Sequence, residues 1–176
     1  FVAGPQTDYF RSSDGSVVNS SAIIFTEVDN TKPFTFTAKV KPEFTKTGTY
    51  SAGVLYAYEN DIHSQKLCFE QDEYGDHRVV SVRTIGTSDD NNHQSISGPY
   101  VYMRLSSDGT SLGSYFSEDG KLWHMARLYK NDFPKMLLLG LSSQSPKDNE
   151  HTCYFMDISL KQEAVPNFRT GKLNGE

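Results

Sequence analysis

The sequence predicts an all-β fold, a two-sheet antiparallel sandwich of the jelly-roll type, from three observations. Aromatic residues make up 12% of the chain, with ten Tyr and eleven Phe, and aromatic side chains favour strands. Helix-forming runs of Ala, Leu and Glu are absent, which argues in the same direction. Apolar and polar residues alternate in short runs separated by turn residues, the pattern of a sandwich or barrel. With 176 residues the chain suits one domain, since that length buries roughly 70% of its unfolded surface in one core.

The clearest strand is 33–41, where Phe34, Phe36, Ala38 and Val40 fall on one face and Thr35, Thr37, Lys39 and Lys41 on the other. That period of two is the mark of a half-buried strand. Further strands are expected at 22–28, 51–59, 65–72, 78–85, 100–106, 111–117, 122–129, 135–142 and 151–160. Tyr56 and Tyr58 share a strand face with Ala52 and Val54 and are assigned to core packing, with groove lining as the alternative. The domain is drawn at 1–161, and the aperiodic stretch 162–176, with Pro166, Asn167, Gly171, Asn174 and Gly175, reads as a partly disordered C-terminal tail.

Two hairpins follow from turn residues. A two-residue turn at Gly75-Asp76 sets Phe69 opposite Val82 and Leu67 opposite Thr84, giving a core face of Leu67, Phe69, Val80 and Val82. The opposite, polar face then carries Cys68, Glu70, Ser81 and Arg83, with Glu70 diagonal to Arg83 and paired with it. Asp119-Gly120 supplies the second turn, and Trp123 on the returning strand is expected as a buried anchor rather than a sugar platform.

Composition excludes several classes of function. A net charge of −5 and a pI near 5.5 give no basic footprint for nucleic acid. No apolar run reaches the roughly 18 residues of a membrane span. Cys68 and Cys153 are read as two buried thiols rather than a disulfide, in keeping with a cytoplasmic location, although the chain opens at Phe1 with no initiator Met and upstream residues are not seen. His63, His77, His93, His124 and His151 lack metal-ligand spacing, so neither metal nor cofactor is expected. No nucleophile elbow, P-loop or dinucleotide fingerprint occurs.

Two acidic stretches invite chemistry. Glu70 and Asp72, two apart on one strand, would project to one face with Cα atoms roughly 6.5 to 7 Å apart, near the carboxyl separation of about 5 to 5.5 Å used in retaining glycoside hydrolysis. The further acid of such a pattern is missing, because Tyr74 and Gly75 stand in its place. The stretch Ser88-Asp89-Asp90-Asn91-Asn92 concentrates oxygens in what reads as a polar loop, suited to self-capping, to sugar hydroxyls or to Ca²⁺.

Several stretches occur together in order: Pro5 to Phe10, Cys68-Phe69-Glu70, Val80 to Thr84, Ser88 to Asn91, Tyr115 to Trp123 and Gly140 to Pro146. In these the chain resembles a family of unknown function in the concanavalin A-like lectin/glucanase superfamily, the family that includes the yeast "regulation of enolase" protein. The likeness spans about residues 5–160. It implies a two-sheet sandwich with a concave polar groove, and its polar motif residues Asp8, Glu70, Arg83, Ser88, Asp89 and Gln144 become the expected ligand-binding set. The family's common form has an aromatic after Ser-Asp, whereas this chain has Asp90.

Three functions fit this sequence, and fold analogy alone does not choose among them. The favoured reading is non-catalytic binding of a carbohydrate or small polyol in the groove. A second is an intracellular regulatory or interaction domain with a protein partner such as a glycolytic enzyme. The third is a glycan-active enzyme using Glu70 with Asp72 or Asp89. Oligomeric state is not legible.

Overall fold

The alternation of Phe34, Phe36, Ala38 and Val40 is realised in the middle of a sandwich of two six-stranded sheets. The computed structural model describes residues 1–176 and contains no helix. With strands numbered in chain order, the first sheet runs β1 (Val2–Ala3), β14 (His151–Lys161), β5 (Phe34–Pro42), β10 (Val101–Ser107), β11 (Ser111–Ser117) and β12 (His124–Lys130). The second runs β4 (Ile24–Asp29), β13 (Met136–Gln144), β6 (Ala52–Asn60), β7 (His63–Gln71), β8 (His77–Ile85) and β9 (Thr87–Ser95). A small ribbon of β2 (Tyr9–Arg11) and β3 (Val17–Asn19) stands apart. All pairings are antiparallel, and the architecture is a jelly-roll sandwich.

Between the sheets, Phe36, Val40, Met103 and Leu105 of the first meet Leu55, Leu67, Phe69 and Leu139 of the second in one apolar cluster. Each such side chain, fully buried, contributes about 1.5–3 kcal/mol. The sheets pack tightly at Gly53, where an added Cβ would collide with Cys153 Sγ and Val40 Cγ1. Cys153 belongs to this core and Cys68 to a separate apolar cluster, so both are free, buried thiols.

That separate cluster lies on the outer face of the second sheet. Ala52, Val54, Tyr56, Cys68, Val80 and Val82 are buried there beneath Tyr9, Phe10 and Ile23. The N-terminal ribbon is therefore a partial cover over the second sheet. An isolated bridge between Thr7 and Ser145 fixes it at one end, with backbone bonds of 3.2 and 3.1 Å.

Three expectations are corrected. Phe69 pairs with Val79 and Leu67 with Ser81, not with Val82 and Thr84. The cause is Asp72, whose carboxylate accepts the N–H groups of Tyr74 and Asp76, both at 2.9 Å. It thereby orders a three-residue loop, Glu73 to Gly75, with Gly75 at φ 84°. The displacement is odd, so β8 turns over: Val80 and Val82 face outward and Ser81 and Arg83 inward. Second, the stretch Ser88 to Asn92 is part of strand β9 rather than a loop. Its polar sequence suits an edge strand, and nothing apolar marks it.

Third, residues 162–176 form no strand but are packed against the outer face of the first sheet. Val165 and Leu173 are buried there with Tyr115 and Trp123. Ser106 Oγ accepts the Val165 N–H at 3.0 Å, and Tyr115 donates to the Phe168 carbonyl at 2.8 Å. Trp123 is a buried anchor, as expected, just ahead of β12.

Candidate functional site

Strand alternation in β7 places Lys66, Cys68 and Glu70 together on the outer face of the second sheet. Lys66 is only 4% exposed, and an ammonium so placed needs an anion and acceptors. Its Nζ donates to Asp8 Oδ1 at 3.0 Å and to Gln144 Oε1 at 3.1 Å. The Thr7–Ser145 bridge delivers both partners, since Asp8 and Gln144 adjoin it on the two strands. Burial works against the Lys66 charge, but Asp8 and Tyr56 outweigh it, so the ammonium holds its proton more tightly than an ordinary lysine.

Gln144 donates its amide N–H to the carbonyl of Tyr50 at 3.0 Å. Tyr50 has φ 64°, a left-handed conformation uncommon outside glycine and sustained by surrounding structure. Here the support comes from both sides of the residue, because its N–H also donates to the Gln71 carbonyl at 2.7 Å. Strain in the backbone thus sets the Tyr50 ring at the rim.

These residues border a cavity of about 390 Å³. Its polar lining is Asp8, Lys66, Glu70, Asp90, Asn92 and Gln144, with Glu73 at the edge. Phe10, Tyr50, Val80 and Val82 supply the apolar surface. The Glu70 carboxyl makes no hydrogen bond within the chain. Arg78 stands directly across from it in the ladder but turns to Asp72 at 2.6 Å. Burial therefore pushes the Glu70 carboxyl up to about 8, with Lys66 opposing the shift and Asp8 and Asp90 adding to it.

Near neutral pH such a carboxyl is largely protonated and both donates and accepts hydrogen bonds. Gln144 and Asn92 can do the same, Lys66 donates, and Asp8 accepts. Hydroxyl groups, which also donate and accept, match this set beside the Phe10 and Tyr50 rings.

Of the residues expected from sequence, Asp8, Glu70 and Gln144 meet in this cavity. Arg83 does not, because β8 is turned over. Its guanidinium stacks on Tyr129 at 3.7 Å and one Nη donates to both oxygens of Asp132, each at 2.7 Å, so its expected pairing with Glu70 is absent. Asp89 points to Arg127 at 3.1 Å. Ser88 Oγ accepts the Arg11 N–H at 3.0 Å and lies 2.9 Å from Thr84 Oγ1, under the ribbon. Asp72 is consumed by its loop and by Arg78.

Tyr56 is buried beneath Tyr9 with ring centroids 6.2 Å apart. Sequence reading missed Lys66 and Tyr50 as members of the site, and offered Asp90 and Asn92 only within the polar stretch Ser88 to Asn92. Lys66 was within reach, since the alternation that selects Glu70 selects it too.

The fold and the cavity define a β-sandwich domain with one polar recess on an outer sheet face. A family model described as a protein of unknown function (DUF1349) matches residues 1–163. The chain belongs to that family. No curated protein matches it.

Among solved structures it is similar to a functionally unknown protein from Saccharomyces cerevisiae, at 22% identity and a TM-score of 0.79, covering 89% of this chain and 83% of that one. It is also similar to the carbohydrate-binding module CBM66 from Bacillus subtilis, at 11% identity and a TM-score of 0.56, covering 80% and 81%. The GH43 protein BlXynB from Bacillus licheniformis matches at 12% identity and a TM-score of 0.64, with 82% of this chain covering 33% of that one. The chain thus spans about a third of the length of the GH43 protein. Identities this low carry the fold alone. No helix is long and apolar enough to cross a membrane.

Proposed function

We propose that this domain binds a neutral carbohydrate or small polyol, without catalysis, in the cavity beside Lys66 and Glu70. The observation that carries the reading is the convergence of Asp8, Lys66, Glu70 and Gln144 on one recess, with Glu70 left free of any partner in the chain. A half-buried carboxyl with an open hydrogen-bonding valence favours a ligand that both donates and accepts. Beside the protonated Glu70 carboxyl, the acidic groups Asp8, Glu73 and Asp90 outnumber the single ammonium of Lys66, so an uncharged polyol fits better than a sugar acid or sugar phosphate.

Binding is preferred to glycoside hydrolysis because the acid pairs that the sequence suggests do not form. Asp72 is locked in its loop and Asp89 faces away from the cavity. The fold-level likeness to a carbohydrate-binding module lends support by analogy only.

Calorimetric titration with neutral mono- and oligosaccharides tests the proposal. Saturable heat with at least one of them, lost in a folded Glu70→Ala variant, is the expected result. Absence of heat across the panel would remove it and return weight to a protein partner such as a glycolytic enzyme.

A further inference from the structure

On the far side of the molecule, the outer face of the first sheet carries a buried arginine that the core does not use. Arg104 projects outward from β10 and is only 2% exposed because residues 162–176 cover it. Its Nε donates to Thr37 Oγ1 at 3.0 Å and one Nη to the Gly171 carbonyl at 2.7 Å. The two Nη groups then fork onto the Glu176 carboxylate at 2.9 and 2.6 Å, the bidentate geometry by which arginine reads carboxylates. Trp123 stacks on the guanidinium, whose carbon lies 3.8 Å from the ring centroid.

We infer that Arg104 and Trp123 form a second binding site, for a small carboxylate of the sugar-acid class, and that Glu176 occupies it as an internal mimic of that ligand. Three observations carry this. A buried ion pair adds little stability over an apolar contact, so anchoring the segment, which Val165 and Leu173 already do, leaves the arginine unexplained. Trp123 Nε1 is buried without a hydrogen-bond partner, an unused donor on the ring that stacks on the guanidinium. A cavity of about 390 Å³ adjoins the pair, lined by Tyr102, Ser159, the ammonium groups of Lys121 and Lys161 and the carboxylates of Asp119 and Asp157, which gives a ring and its hydroxyls room next to the carboxylate.

The site is on the opposite sheet from the Glu70 recess and does not depend on it. Its selectivity is opposite as well, since one reads a neutral polyol and the other an anion. A tethered competitor acts at an effective concentration on the order of millimolar, so free ligand meets the intact chain at a disadvantage.

Trp123 is the only tryptophan, which makes its fluorescence a local reporter. Glucuronate is titrated into the full chain and into Glu176→Ala, with glucose as the neutral control and circular dichroism to verify the fold. The expected result is a saturable fluorescence change with glucuronate in Glu176→Ala, at least about tenfold weaker in the unaltered chain and absent with glucose. The change should persist when Glu70→Ala is added to Glu176→Ala. A folded Glu176→Ala chain that ignores glucuronate, or that answers glucose equally, would overturn the assignment.

Discussion

The Lys66 ammonium lies 3.0 Å from the Asp8 carboxylate, and this contact ties the N-terminal segment to the centre of the second sheet while forming the floor of the cavity. Structure and proposed binding thus share one ion pair. Removing either partner leaves the other charge uncompensated in a poorly hydrated place.

Lys66→Met is therefore expected to destabilise the fold by about 3–5 kcal/mol, the range for breaking a buried pair. Adding Asp8→Asn should recover a substantial part of the loss. Urea unfolding of the single and double variants checks this through the coupling energy. Additive losses would show that the pair is not coupled.

Glu70 gives a stability signature with a definite sign. Its carboxyl is raised from 4.5 to about 8, foremost by burial, so the folded state favours the protonated form. Stability from this group is complete below pH 4.5 and declines as pH rises through 8. Glu70→Gln, which keeps the shape without the titration, should match the unaltered chain near pH 4 and exceed it in melting temperature above pH 8. Parallel melting curves across that range would contradict the raised Glu70 pKa.

His151 predicts the reverse slope on the acid side. Burial lowers its pKa from 6.5 to about 4; Ser143 Oγ lies 2.9 Å from its Nδ1, and its Nε2 has no partner. The unfolded chain takes up a proton between these values and the folded chain does not, so stability falls as pH drops from 6.5 to 4. In His151→Gln that part of the acid loss should vanish. Melting temperatures at closely spaced pH values provide the comparison, with the lowered His77 and His93 as background common to both chains.

Tyr50 separates strain from recognition. At φ 64°, Tyr50→Gly relieves a conformation costing about 1 kcal/mol or more, while Tyr50→Ala retains it. The glycine variant should be the more stable of the two in denaturant, and both should bind sugar more weakly because the rim ring is gone. Equal binding in all three chains would place Tyr50 outside the site.

Much of this was legible in the sequence. A strand such as β5 announces itself because one face is apolar and the other polar. Strand β9 does not, because Thr87–Ser95 is polar throughout and owes its place to pairing with β8. The β7–β8 register was misread because side-chain bonds from Asp72 decide between a two-residue and a three-residue loop, and residue type alone does not reveal those bonds. That single turn explains why Glu70 and Arg83, expected on one face, lie on opposite faces. Asp8 and Gln144 join Glu70 through the Thr7–Ser145 bridge, a contact between distant parts of the chain that alternation cannot foresee.

The most direct test of the central claim is thermal unfolding of the unaltered chain and of Glu70→Ala against neutral sugars and polyols. At a ligand concentration about a hundredfold above its dissociation constant, binding should stabilise the fold by about 2.7 kcal/mol. The expected result is a selective upward shift with at least one neutral sugar in the unaltered chain and none in folded Glu70→Ala; identical shifts in the two chains, or none across the panel, would contradict it.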